Sequence, residues 1–433
     1  MPRTDDLRVH VCGLGHLGTV TAAGVAEHFT TVAYDPDPAL ISQLRSGLPP
    51  VSEPGLTELL KAGAAAGRLS FSDSPSALKD ADLVWFTFET PVDENDAADI
   101  DFVENHMLAL LAHLPEKALV LISSQVPVGF TARCEAAFRK ERPQAAGSFA
   151  YSPENLQLGR ALEAFRQPQR IVAGVRDQAA QARLTPFLKP FSERLEWMSV
   201  ESAEMTKHAL NSFLATSVAF INELSELCER VGADPKEVER GLKSEARIGP
   251  KAYLRPGAAF SGGTLARDVN FLVAIGERSS HPSVLFPAVL ASNDAHKSWP
   301  QRKVLELLGD LSGKTVAVWG LSYKPGTDSI RRSGAIELCR WLTQRQALVQ
   351  AFDPAVKELP DDLKEKVRLC ASAAEALSQA DALIAATEWP EFKKIPAEAV
   401  AGMRTKVIVD AGGFLGETLG RAPHVRYAAV GAA

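Results

Sequence analysis

Residues Arg8–Gly18 read RVHVCGLGHLG. The apolar run Arg8–Cys12 predicts a short buried strand. Gly13, Gly15 and Gly18 then fit G-x-G-x-x-G. In such a loop the first glycine permits the tight turn, the second lets a pyrophosphate approach the backbone, and the third lets helix and strand pack closely. An Ala/Val-rich stretch to about His28 predicts the helix, whose N-terminal N–H groups would face the phosphates. Thr31–Tyr34 (TVAY) predicts the next strand, ending at Asp35, seventeen residues after Gly18. A carboxylate there suits a ribose 2′-hydroxyl and repels a 2′-phosphate, which favours NAD over NADP. The hexapeptide alone is a weak signal, and a plain tight turn with Asp35 as a solvated strand end is the bland alternative. The full order strand, glycine loop, helix, strand, acid predicts a dinucleotide site.

Working outward, Leu83–Phe88 (LVWFTF), Ala118–Ser123 (ALVLIS) and Arg170–Val175 (RIVAGV) continue the strand series, with Arg170–Val175 read as the last of this half. This is the β-α-β rhythm of a doubly wound parallel sheet. From Ser202 to Val231 apolar residues recur at helical spacing without Pro or Gly. A helix of that length can join two domains or form a dimer seam, and an ordinary long core helix fits the spacing equally. Lys314–Trp319, Leu348–Asp353, Ala382–Ala386 and Lys406–Asp410 then predict a second sheet. The fold class read from the chain is α/β: two Rossmann-like doubly wound sheets joined by a long central helix and a helical middle.

Composition narrows the function classes. At roughly 150 residues per domain, 433 residues make two or three domains. With 46% apolar and 23% charged residues the chain has ample material for cores, which excludes disorder over most of its length. A formal charge of −6 argues against a general nucleic-acid binder. No stretch approaches about twenty uninterrupted apolar residues, so no membrane span is expected. The acid-containing N-terminus does not read as a signal peptide, and a cytoplasmic protein is expected. The cysteines, at 12, 134, 228, 339 and 370, form no CxxC, and the nine histidines form no HxH or HExxH. A disulfide framework, a zinc site and other metal chemistry are therefore not expected.

Further motifs lie at strand ends, where open α/β sheets bind ligands. Thr90-Pro91 follows LVWFTF, Ser123–Gly129 (SSQVPVG) follows ALVLIS, and Glu154 sits in YSPEN. A Glu beside Pro is more often a turn residue. Gly320 follows a strand of the second sheet without a full glycine fingerprint, and Lys324 and Arg331 in its loop can meet phosphates or simply be solvated charges. Lys207 and Asn211 are four apart on the long helix and share a face that reads apolar, with Leu210, Phe213 and Leu214 nearby. Lys207 is either a base of lowered pKa or a snorkelling surface lysine. In Phe260–Asp268 (FSGGTLARD) the glycine pair predicts a sharp turn before a helix, with Asp268 in its first turn, where capping alone would explain it.

Ten segments in one order make a more specific signal: VCGLGHLG, SEPGLTELL, ETPVDE, SSQVPVG, SPEN, EMTKHALNSFLA, FINELSELCERVGAD, RIGPKAYLRPG, FSGGTLARD and SYKPGTD. From about Arg8 to about Phe414 the chain resembles the nucleotide-sugar dehydrogenases of the UDP-glucose and GDP-mannose dehydrogenase family. The resemblance implies an NAD-binding Rossmann domain over 1–198, a central helical dimerisation region over 199–300 and a UDP-sugar-binding Rossmann-like domain over 301–433. It implies two oxidations of a sugar C6 alcohol, each with NAD, and at least a homodimer. Lys207 and Asp268 would handle the hydroxyl proton through a water, Asn211 would hold the oxygen, and Glu154 and Thr90 would manage water and protons near the nicotinamide. Gly13, Gly15, Leu17, Gly18, Asp35, Thr90, Gln125 and Arg331 would serve the cofactor. Glu154, Lys207, Asn211, Tyr253, Leu254, Gly257 and Lys324 would meet the nucleotide sugar, with Arg247 reaching the substrate of a neighbouring subunit.

The chain departs from that family at six positions. Thr264 stands where the family has a cysteine that traps the aldehyde as a thiohemiacetal. A threonine hydroxyl is a poor nucleophile without a dedicated base. Arg267 replaces a lysine, Leu158 a glutamate, Gln125 a threonine, Gly412 an arginine and Ser329 an aspartate. The groups for a first alcohol oxidation are kept and the covalent group for the second is lost. Three readings follow: a dehydrogenase of a UDP-glucose-like substrate whose second oxidation is in question, a redox-neutral epimerase that retains NAD, and an inactive nucleotide-sugar-binding paralogue.

Overall fold

The computed structural model describes residues 7–93, 98–154, 156, 159–261 and 263–431, which form two compact units meeting in sequence at Ala209 and Leu210. Leu158 and Gly262 lie outside the described residues.

The first unit is built on eight strands: β1 Arg8–Cys12, β2 Thr30–Tyr34, β3 Leu69–Ser72, β4 Leu83–Phe86, β5 Leu119–Ile122, β6 Ser148–Tyr151, β7 Ile171–Gly174 and β8 Leu195–Met198. Their order is β3-β2-β1-β4-β5-β6-β7-β8. The first six run parallel, in the order 3-2-1-4-5-6 of a dinucleotide-binding sheet. LVWF and LVLI are buried along their whole length, as parallel strands covered on both faces must be. β7 joins β6 antiparallel, and β8 runs parallel to β7. β7 is therefore not the last strand of this half. LEWM at the sheet edge is half-buried throughout, so it carries no buried-strand pattern.

The second unit holds β9 Thr315–Trp319, β10 Leu348–Phe352, β11 Val367–Leu369, β12 Ala382–Ala385, β13 Val407–Asp410 and β14 Arg426–Ala428. They are all parallel in the order β11-β10-β9-β12-β13-β14, which repeats 3-2-1-4-5-6. Each sheet thus has a point where strand order reverses, β1/β4 in one and β9/β12 in the other, and loops leaving the carboxyl ends there frame a ligand crevice.

The helix Val200–Val231 has 32 residues, a rod of about 48 Å. Its buried side is polar as well as apolar: Glu204, Lys207, His208, Asn211, Ser212, Asn222 and Ser225 are all buried. Leu210 and Phe213 are exposed, Phe213 by 70%. The face carrying Lys207 and Asn211 is thus not the apolar one the spacing suggests. Glu204 accounts for part of this burial. Its carboxylate accepts from Gly129 N at 2.6 Å, Thr131 N at 2.9 Å and Thr131 Oγ1 at 2.7 Å. It thereby caps the helix Phe130–Glu141 that follows SSQVPVG.

Candidate functional site

The glycine loop has the geometry its sequence requires. Gly13 takes φ +93, and a Cβ there would lie 2.6 Å from Phe88. A Cβ on Gly18 would overlap the Gly13 carbonyl, so helix and loop meet at a distance only glycine allows. The helix His16–Val25 starts directly after the loop. Asp35 lies at the end of β2, and its Oδ2 accepts from Leu14 N at 2.7 Å while Oδ1 accepts from Asp37 N at 3.0 Å. Its carboxylate is therefore fixed beside the loop, with lone pairs left for a ribose hydroxyl. These residues fit a dinucleotide. Gln125 and Thr90 are both buried, and Thr90 Oγ1 donates to the Gln125 carbonyl at 2.6 Å, tying the loops after β4 and β5 together.

One cavity of the first unit is lined by Leu17 of the glycine loop and by Trp85, Ser123, Ser152 and Glu154. Glu154 does act within its turn, accepting from Leu156 N at 2.7 Å. It also meets Lys207, whose Nζ donates to the Glu154 carbonyl at 2.6 Å and to Oε1 at 3.3 Å. Lys207 is 5% exposed, which removes the snorkelling alternative. A buried ammonium paired with a half-buried carboxylate is a strong local field.

Within the second unit, the helix Thr264–Arg278 begins four residues before Asp268 and is capped by Gly263. Asp268 is consequently not in the first turn, as the sequence reading had it, and does not cap the helix. It is fully buried, and its Oδ2 accepts from Asn211 Nδ2 at 2.5 Å. Thr264 is exposed at the first helical position, one turn before Asp268 on the same face. All five cysteines are free and buried, none of them on this helix. Burial pushes the thiols of Cys134 and Cys339 up to about 12 and raises those of Cys12 and Cys370. These four are thiols inert at neutral pH rather than replacement nucleophiles.

The loop before that helix is pinned from below. Asn222 Oδ1 accepts from Gly257 N at 2.9 Å, His296 Nε2 bonds the Gly257 carbonyl at 2.8 Å, and Asn293 Oδ1 accepts from Phe260 N at 2.9 Å. Leu254 is buried in this loop and Tyr253 is 59% exposed. Arg247 extends into solvent with its side chain 88% exposed and bonds Glu245.

At the β9/β12 crossing, Asp353 ends β10 as Asp35 ends β2, and its Oδ2 accepts from Leu321 N at 2.7 Å and Ser322 N at 3.0 Å. Burial pushes its carboxyl up, but backbone N–H donors outweigh that and hold it below the usual carboxylate range. Gly320 takes φ +85, and a Cβ there would strike Thr387. The loop beyond it carries Lys324, whose Nζ lies 5.6 Å from the Tyr323 ring centre, and the exposed Arg331. At Gly412 a side chain would run into the Glu388 carboxylate. Arg255 donates to the Gly412 carbonyl at 3.0 Å and pairs with Glu388 Oε1 at 3.3 Å.

Three acids escaped the sequence reading. Glu204 caps a helix, as above. Glu53 is buried and accepts from Gly159 N at 2.9 Å, Ala161 N at 2.7 Å and, at 3.2 Å, bonds His16 Nε2. Glu89 reaches the glycine loop. The signal for Glu53 was its place in S-E-P-G, and for Glu89 its place directly before Thr90.

The chain is similar to known proteins over nearly its whole length. Residues 7–192 match the UDP-glucose/GDP-mannose dehydrogenase family's NAD binding domain, 201–295 its central domain and 317–417 its UDP binding domain. The chain is 32% identical over 411 residues to UDP-glucose 6-dehydrogenase YwqF of Bacillus subtilis, covering 93% of each. It is 34% identical over 414 residues to the UDP-glucose 6-dehydrogenase of Rhizobium meliloti, covering 93% of this chain and 94% of that one. The structure of a UDP-glucose dehydrogenase from Pyrobaculum islandicum superposes with a TM-score of 0.88 at 32% identity over the whole of both chains.

Proposed function

The chain belongs to the UDP-glucose/GDP-mannose dehydrogenase family and is an NAD-dependent nucleotide-sugar dehydrogenase, and we propose that it oxidises a UDP-glucose-like substrate at C6 and stops at the aldehyde. The observation that carries the truncated reaction is Thr264, exposed one helical turn before the buried Asp268. No thiol of that helix can trap an aldehyde.

Bound NAD supplies the hydride acceptor. The glycine loop and Asp35 would hold its pyrophosphate and ribose, with Thr90, Gln125 and Arg331 as further cofactor contacts. Asn211, oriented by Asp268, holds the sugar hydroxyl oxygen. Asp268 receives the hydroxyl proton through a water as the C–H hydride leaves, and the Lys207 ammonium offsets the charge developing on that oxygen. Glu154 sets the position of Lys207. Tyr253, Leu254, Gly257 and Lys324 lie along the nucleotide sugar. The division of labour is NAD over 1–198, dimerisation over 199–300 and the UDP-sugar over 301–433. The match of Glu154, Lys207, Asn211 and Asp268 to the family's segments favours a dehydrogenase over an inactive paralogue.

A panel of sugar nucleotides incubated with NAD tests the substrate. NADH should form with UDP-glucose and fall at least tenfold when the nucleotide is GDP. NADH from none of the UDP-sugars would contradict the reading.

The chain forms a homodimer through the long helix. Phe213, Phe220 and Leu227 are exposed and seven residues apart, a stripe suited to a second copy of the same helix. Arg247, free of its own core, would then reach the other subunit's substrate. Light scattering should give a dimer for the native chain and a monomer for Phe213→Glu/Phe220→Glu. A monomeric native chain would contradict it.

A further inference from the structure

Glu89 stands at the β1/β4 crossing, in the loop after β4, and its side chain lies across the glycine loop. Its Oε1 accepts from His16 N at 2.5 Å and from Leu17 N at 3.3 Å. These are the first N–H groups of the helix His16–Val25, which has no side-chain cap from its own N-cap residue, Gly15. The same carboxylate also covers the face of Gly15. A Cβ on that glycine would lie 2.6 Å from Glu89 Cδ and 2.7 Å from Oε1. Both features belong to an anion seat: helix N-terminal donors with no partner within their own helix, and a glycine whose missing side chain lets an anion approach the backbone. The anion found there is the protein's own.

We propose that Glu89 is a latch on the dinucleotide seat, which NAD opens by displacing its carboxylate from His16 and Leu17. The inference rests on the glycine loop being the NAD site. A pyrophosphate and a carboxylate cannot share those two donors, and their like charges repel at contact distance. Glu89 is exposed, so it can swing into water without disturbing the core. The next residue is Thr90, bonded to the Gln125 carbonyl. Release of Glu89 therefore loosens one end of a segment that also carries a cofactor contact. Free protein is held closed, and its affinity for NAD is lowered by the strength of the internal cap.

Calorimetric titration of NAD into the native chain, Glu89→Gln and Glu89→Ala tests the latch without any turnover. Both variants should bind NAD about tenfold more tightly, the scale of a carboxylate at a helix N-terminus. Without NAD, the His16 and Leu17 amides should exchange hydrogen faster in Glu89→Ala than in the native chain, and with NAD saturating the two should match. Unchanged or weaker NAD binding in both variants would overturn the latch while leaving the cofactor site intact. Failure of all three proteins to bind NAD would remove the site itself and the latch with it.

Discussion

Alanine at Lys207 should lower kcat by about a thousandfold and leave the affinity for NAD within about twofold. The size follows from where the ammonium sits. Lys207 is 5% exposed, and its Nζ is held by the carbonyl and carboxylate of Glu154. A charge fixed in a region poor in water stabilises a developing alkoxide far better than a solvated one. The NAD loop lies on other elements, so cofactor affinity is spared. Arginine at 207 should not rescue, because a planar fork cannot occupy a seat shaped for one nitrogen. Full activity in Lys207→Ala, with circular dichroism unchanged, would remove Lys207 from the reaction.

Cysteine at Thr264 gives the second large effect, a change of product rather than of rate. Thr264 opens the helix Thr264–Arg278 and is exposed, and a helix N-terminus lowers the pKa of a thiol placed there. The variant thiolate can add to the aldehyde carbonyl. The resulting thiohemiacetal can lose a hydride to a second NAD, and water then releases the carboxylate. The native hydroxyl ionises too weakly to do the same. Thr264→Cys should therefore yield uronate with two NADH per sugar, and Thr264→Ser should behave as the native chain. Aldehyde alone from Thr264→Cys would mean that the missing thiol is not what limits the reaction.

The parts of the fold legible in the sequence are those with continuous apolar runs. RVHVC was read with the bounds it has, and the four strands read in the second sheet each differ by one residue at one end. The strands left unread are short and lie toward the sheet edges or carry polar residues. Leu195–Met198 is half-buried along its length, and Val367–Leu369 has an arginine at its centre. Neither offers alternation or a buried run to detect. At the site, motif order singled out Glu154, Lys207, Asn211 and Asp268 as candidates, whereas their physical environment was not legible. Periodicity put Leu210 and Phe213 beside Lys207, yet the helix buries its polar side there and exposes both. The partners that make this burial stable, Glu154 and Asp268, come from 53 and 57 residues away, beyond the reach of a helical pattern. Asp268 looked like a cap because the glycine pair marks a helix start, but Gly263 is the N-cap residue and the helix begins at Thr264, which puts Asp268 beyond the first turn. Glu89 and Glu53 were passed over for the same reason: each acts on backbone N–H groups of the glycine loop or its neighbours across a long sequence separation.

The most direct measurement counts NADH formed per UDP-glucose consumed by the native chain, with the product identified by mass spectrometry. One NADH per sugar with a UDP-linked aldehyde is the predicted result. Two NADH per sugar with a uronate would contradict the account, because a threonine at position 264 would then suffice for both oxidations.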